Sequence, residues 1–393
     1  VEAGSKYETK EINGLSHFLE HLFFKGTTKR PDAGQVNRDL DRLGSAHNAF
    51  TSKEITGYWV KTARAHFDSA LDIVSDILLD PLFKADEIER ERGVIIQEIS
   101  MYEDSPQRKI FDVWEELLYG DQPAGWDTAG PKETIRKISR DAIIGYRNRQ
   151  YVATNSLVIV AGNIDAREAE KKITKAFSPF KDGHAEGKKP VRESQEKPAV
   201  QFSFKETDTT HLAIGVRACD MYDPKRYAMQ LLSTLLGGNA SSRLFMEIRE
   251  KLGLAYYVRA ASQHYTDTGY LVATAGIPHG DLERVAQKIV EIFRDIRDKG
   301  FSKEEIEFAK DSLRGSLALS FESSDEIATF VGEQALFYPK IETPEQLLRR
   351  IERVTGRDML NVAKEIFHRK ALNFAVIGPH KPAPAFEKIL ATL

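Results

Sequence analysis

The sequence predicts an α+β chain made of two related domains. Helical and strand-like periodicities alternate irregularly over its 393 residues, with too few strict βαβ units for a doubly wound sheet. A polar stretch over 183–198, rich in Gly, Lys, Glu and Pro, reads as a linker between halves of similar size. Pieces of the first half also recur, in order, in the second. The expected domains are therefore 1–182 and 199–393.

The first clear helix is 67–79, where Phe67, Ala70, Leu71, Val74, Ile77 and Leu78 trace one apolar stripe. Helices follow over 87–101, 109–118 and 165–177, and in the second half over 281–296, 304–319 and 344–351. Strands are expected where β-branched and aromatic residues run together: 56–60, 157–160, 201–204, 211–216, 270–274 and 372–377.

The internal repeat rests on three echoes. Leu43-Gly44, a strand region, Gly57-Tyr58 and a helix are matched by Leu252-Gly253, a strand region, Gly269-Tyr270 and a helix. Near the end of each half, Val158-Ile159-Val160-Ala161-Gly162 is matched by Phe374-Ala375-Val376-Ile377-Gly378. The spacing between partners is nearly constant, as duplication of one domain requires.

Composition excludes several functions. Lys and Arg number 56 against 59 Asp and Glu, a net charge of −3, which leaves no basic surplus for a nucleic-acid binder. At 41% apolar the chain is too hydrophobic for a disordered acidic protein, and no apolar run approaches the ~18 residues of a membrane span. The single cysteine, Cys219, closes no internal disulfide and points to a reducing compartment: a cytoplasm, with the mitochondrial matrix as the alternative. Val1, with no initiator Met or presequence, reads as the start of a trimmed or partial chain.

The sharpest motif is His17-Phe18-Leu19-Glu20-His21. On a helix, His17 and His21 share one face at the spacing two imidazoles need to bind one Zn²⁺. Glu20 then sits where its carboxylate can take a proton from a zinc-bound water without ligating the metal. The order H-x-x-E-H is that of the inverted zinc hydrolases. Two histidines leave the set one ligand short. The helix over 87–101 offers Glu91 and Glu98, two turns apart and flanking an apolar stretch, where an uncompensated carboxylate would be costly.

The run Asn13-Gly14-Leu15-Ser16-His17-Phe18-Leu19-Glu20-His21, followed by Phe24-Lys25-Gly26-Thr27, resembles the pitrilysin-type (M16) zinc peptidases, and in particular the half-length members similar to the mitochondrial processing peptidase and its bacterial relatives. In that family the third ligand is a Glu 77 residues beyond the second His, the interval that separates Glu98 from His21, and a further essential Glu lies seven residues earlier, at Glu91. The resemblance implies one Zn²⁺ per chain on His17, His21 and Glu98, with Glu20 as general base and Glu91 in support. It implies that Asn48, Ala49 and Phe50 of Asn48-Ala49-Phe50-Thr51 lie on an edge strand to which substrate adds. It also implies that Arg249 and Tyr256 bind the substrate backbone and stabilise the oxyanion.

The fold it implies is LuxS/M16 metallohydrolase-like: two homologous domains, each a largely antiparallel sheet covered by helices. The first strand of the first domain is missing, because relatives carry one more strand ahead of Gly4-Ser5. The implied activity is hydrolysis of peptides or unfolded segments inside a chamber formed by a homodimer, or by a heterodimer with a related subunit. A non-catalytic scaffold or core subunit of the same fold is the alternative.

Overall fold

A computed structural model describes residues 1–393. The chain runs through α1 (Leu15–Leu22), α2 (Gln35–Arg42), β1 (Ala46–Thr51), β2 (Thr56–Lys61), α3 (Phe67–Leu79), α4 (Ala85–Glu103), α5 (Pro106–Tyr119), α6 (Lys132–Lys137), α7 (Arg140–Gln150) and α8 (Ala166–Ala176). It continues with β3 (Ala199–Phe204), β4 (Thr210–Ala218), α9 (Arg226–Ser233), β5 (Tyr257–His264), β6 (Gly269–Ile277), α10 (Leu282–Lys299), α11 (Lys303–Ser320), α12 (Ser324–Phe337), α13 (Pro344–Arg353), α14 (Gly356–Ile366), β7 (Asn373–Gly378) and α15 (Pro384–Leu390).

Two compact units result. The first comprises Val1–Met101, Trp126–Lys189 and Phe321–Ile341; the second comprises Tyr102–Gly125, Pro190–Ser320 and Glu342–Leu393. The expected boundaries at 182 and 199 follow chain order. The units depart from them because one helical segment of each half belongs to the other unit: α5 to the second, α12 to the first.

In the first unit the sheet is the antiparallel hairpin β1–β2, with Asn48 opposite Trp59 and Phe50 opposite Gly57. Its core is built around α1. Leu15, Phe18, Leu19 and Leu22 form the i, i+3, i+4, i+7 stripe of a buried helix and meet Ile73 and Ile77 of α3, Ile88, Ile95 and Ile99 of α4, and Ile143 and Tyr146 of α7. This core fixes the two helices that carry the motif residues.

The second unit holds a five-stranded sheet in the order β3-β7-β4-β6-β5, antiparallel except for the parallel pair β3–β7. Alternate residues of β4, β6 and β7 feed two cores, as the two-residue period of a strand dictates. Leu212, Ile214, Leu271, Ala273, Phe374 and Val376 meet α9, α10 and α14, while Ala213, Val272, Ala375 and Ile377 meet Ile110, Val113 and Trp114 of α5. With both faces covered, β4 and β6 read as near-continuous apolar runs.

One expected strand does not form. Residues 157–160 join no ladder, and Ile159 is 38% exposed. Their counterpart β7 lies between β3 and β4, both of which supply hydrogen bonds; 157–160 has no strand beside it in the first unit. The side chain of Ile159 instead lies against the backbone of α12 at Gly332, where an added Cβ would collide with it. No helix is long and apolar enough to cross a membrane.

Candidate metal centre

The motif helix α1 starts abruptly. Gly14 precedes it in the left-handed region, φ 96°, and offers no side chain to cap the first turn. The cap comes from outside. Glu8 Oε2 accepts from Gly14 N (2.8 Å) and Asn13 Nδ2 (3.0 Å), and Oε1 accepts from Ser16 N (2.7 Å). Burial pushes the Glu8 carboxyl up from its ordinary range, and these donors pull it partly back.

One turn into α1, His17 and His21 stack edge to face with ring centroids 4.8 Å apart. From α4, Glu98 brings Oε2 to 3.6 Å from His17 Nε2 and 3.3 Å from His21 Nε2. Ligand atoms of the three residues all lie within 4.8 Å of one another. At zinc–nitrogen distances near 2.0–2.1 Å, the edge of a ligand tetrahedron is about 3.3 Å. The donor set, two imidazoles and one carboxylate, therefore fits a zinc ion in chemistry and in scale, and leaves the fourth position open.

Glu91, 3% exposed, lies behind His21. Its Oε2 is 3.2 Å from His21 Nδ1 and its Oε1 2.7 Å from Lys25 Nζ. A carboxylate on the far nitrogen of a ligating imidazole fixes the ring and its tautomer. Burial alone would raise the Glu91 carboxyl, yet His21 and Lys25 hold it below the usual range. For His21, burial opposes the charged form, but hydrogen bonds to Glu91 and Glu98 outweigh it and push the imidazole up to about 9.

Glu20 is on the same helix and outside the ligand set. Its Oε2 accepts a 2.6 Å hydrogen bond from Thr51 Oγ1, at the end of β1. Burial, with the nearby charge of Glu98, raises its carboxyl; Thr51 and His21 act in the opposite sense. That environment suits a proton acceptor working near neutrality.

Asn48, Ala49 and Phe50 lie on β1, which pairs only with β2 and keeps its other edge open. Phe50 is 46% exposed, its ring lying over Gly57. Arg249 and Tyr256 belong to the second unit. Arg249 stacks its guanidinium 4.9 Å from the centroid of Phe245, and Tyr256, 68% exposed, stands just ahead of β5, its backbone N–H on Gly276 O at 2.9 Å.

Sequence reasoning brought together His17, Glu20, His21, Glu91 and Glu98, and the fold joins them. It gave no role to Thr51 or Lys25, though both fall in the runs that carry the resemblance, and it missed Glu8. Nothing in spacing marks Glu8, because two of its three donors are backbone N–H groups and the third is the Asn13 side chain.

Fold and site define a two-unit α+β protein with a single candidate zinc centre in its first unit. The chain belongs to peptidase family M16. Residues 1–132 match the profile described as insulinase (peptidase family M16) and residues 137–313 that of the peptidase M16 inactive domain. The chain is 32% identical over 386 residues to "Uncharacterized zinc protease YmxG" of Bacillus subtilis, covering 98% of this chain and 93% of the relative. A similarly named zinc protease of Mycobacterium leprae is 33% identical over 385 residues, covering 97% and 86%. The fold is similar to the crystal structure of a protease from Helicobacter pylori, at a TM-score of 0.89 and 23% identity, covering 96% of this chain and 92% of that one. A peptidase M16 inactive domain structure from Pseudomonas fluorescens gives 0.89 at 20% identity, covering 97% and 92%.

Proposed function

We propose that this chain is a zinc-dependent endopeptidase acting on peptides or unfolded segments. The observation that carries the reading is the approach of Glu98 Oε2 to within 3.3 and 3.6 Å of the two motif imidazoles. His17, His21 and Glu98 would hold the ion, one per chain. A bound zinc ion supplies Lewis acidity, polarising a scissile carbonyl and acidifying water.

The protein's own groups do the rest. Glu20 takes a proton from the attacking water and returns it to the leaving amine. Glu91 and Lys25 keep the His21 ring oriented. The open edge of β1 receives substrate as an added strand, with main-chain hydrogen bonds giving affinity and little sequence selectivity. Arg249 and Tyr256 serve the substrate backbone and the developing oxyanion. We place these two in trans, contributed by the partner in a C2 homodimer that encloses a chamber, with a related subunit as the alternative partner. One cysteine and bacterial relatives favour a cytoplasmic setting over a mitochondrial matrix.

A non-catalytic scaffold of the same fold is the second reading, and the inactive-domain profile over 137–313 favours it. The ligand set, however, lies wholly within the insulinase match over 1–132. The experiment is a peptide-library digest with wild type and Glu20→Gln, before and after chelation. Expected are zinc-dependent cleavage by wild type and undiminished zinc content with at least a hundredfold loss of turnover in the variant. Cleavage by Glu20→Gln at the wild-type rate would remove the proposed base, and no cleavage by zinc-loaded wild type would favour the scaffold.

A further inference from the structure

The proposed chemistry does not use Glu8, yet the fold buries this carboxylate to 4% exposure beside the start of the ligand helix. Burying a carboxylate is costly unless donors surround it. Here its oxygens take Gly14 N, Ser16 N and Asn13 Nδ2, and none of its hydrogen bonds comes from Lys or Arg. Its charge faces the positive end of α1, where a carboxylate is favoured. Ser16 extends the network inward, its Oγ lying 2.8 Å from Tyr146 Oη, with both residues buried.

The opposite side of the same turn is closed by backbone. A Cβ at Gly14 would strike Ala129 O, and one at Gly130 would strike Asn13 O. Asn13 Nδ2 also donates to Asp127 O at 3.1 Å. The first turn of α1 is thus wedged between the Glu8 carboxylate and the 127–130 loop. α1 has only two turns, and His17 directly follows the Ser16 that Glu8 holds. A shift at the helix start is therefore a shift of a ligand.

We infer that Glu8 is a positioning residue for the metal centre: it sets the start of α1, and hence the His17 imidazole, at the distance from Glu98 that one zinc ion requires. This rests on the zinc-peptidase reading above and adds to it a residue outside the motif. A metal constellation tolerates errors of only about 0.5 Å, and outer groups that orient ligands typically change metal affinity 10–100-fold. Replacing the carboxylate by an amide removes one acceptor and turns an N–H group against the donors of α1.

The test is zinc affinity of the full chain by chelator competition, at a temperature where circular dichroism shows every variant folded. Val36→Ala, which trims the same core away from the site, is the control for general destabilisation. We expect Glu8→Gln to bind zinc at least tenfold more weakly than wild type, with Val36→Ala within twofold of it. Equal affinity in Glu8→Gln and wild type overturns the inference, and so does an equal loss in both variants. Should Glu8→Gln not fold, Asn13→Ala keeps the carboxylate and removes one of its donors; we expect about threefold weaker binding, and no change counts against the assignment. Wild type that binds no zinc at all ends the zinc-peptidase reading and this inference with it, an outcome distinct from zinc-binding wild type matched by Glu8→Gln.

Discussion

Thr51 donates a 2.6 Å hydrogen bond to Glu20, joining the last residue of the open strand β1 to the carboxylate proposed as general base. A donor to the charged form lowers a carboxyl pKa, so removing it raises that pKa. Glu20 must be ionised to act. Thr51→Val is therefore expected to move the acidic limb of the kcat/KM profile to higher pH and to lower the rate about tenfold near neutrality, while Thr51→Ser stays close to wild type. A pH series on the three proteins checks this, and an unmoved acidic limb in Thr51→Val would separate the hydroxyl from the base.

Zinc binding is expected to displace a proton from the His21 imidazole. With the His21 imidazole raised to about 9 by Glu91 and Glu98, zinc binding at pH 7 should release about one proton from this residue, and the release should fade as pH rises through 9. Calorimetry in two buffers of different ionisation enthalpy reads the number directly. The sign for stability follows from linkage. A histidine whose folded value lies above its unfolded 6.5 stabilises fully below pH 6.5 and loses that contribution as pH climbs through about 9. Thermal unfolding of metal-free wild type and His21→Gln should converge over that window; parallel curves would contradict the assignment.

Glu91 links Lys25 to His21 and ligates nothing in the proposed set. Glu91→Gln keeps an acceptor for the ring N–H but gives up the charge, so zinc should bind about 10–100-fold more weakly while the fold persists. Lys25→Met acts through the same carboxylate, and the two substitutions should be non-additive in a double-mutant cycle. Strict additivity would mean that Lys25 and Glu91 act separately.

Completion of the site in trans makes a prediction about mixtures. Glu20→Gln lacks the base and Arg249→Ala/Tyr256→Phe lacks the oxyanion pair, so each homodimer should be inactive. Reassembled mixtures should recover up to a quarter of wild-type activity, because only mixed dimers hold one intact site. Rate measurements after dissociation and remixing decide it, and mixtures as inactive as their parents would place the two residues in the same chain's site.

Local chemistry made the centre legible. His17 and His21 are four residues apart on a helix, while the choice of Glu98 over Glu91 as third ligand came from the interval that the family resemblance implies, not from local pattern. The strands β4 and β6 were legible for a related reason: burial on both faces wrote itself as unbroken apolar runs. The strand expected at 157–160 failed because a strand is a property of its neighbours, and Val158 and Val160 carry no record of whether a ladder exists beside them. Thr51 and Glu8 escaped notice for the same reason. Each acts across space, on a side chain 31 residues away in one case and on backbone N–H groups in the other.

The membership of α5 and α12 also bears on how the molecule can be divided. Severing the chain in the polar stretch between residues 183 and 198 would give an amino-terminal fragment bearing Trp114 and its apolar neighbours without the strands that bury them, and lacking α12. The carboxyl-terminal fragment would expose the bare face of its sheet. Produced separately, both pieces should aggregate; produced together in one cell, they should reassemble and copurify. Genetic bisection of this protein is thus a matter of co-expression, not of autonomous modules.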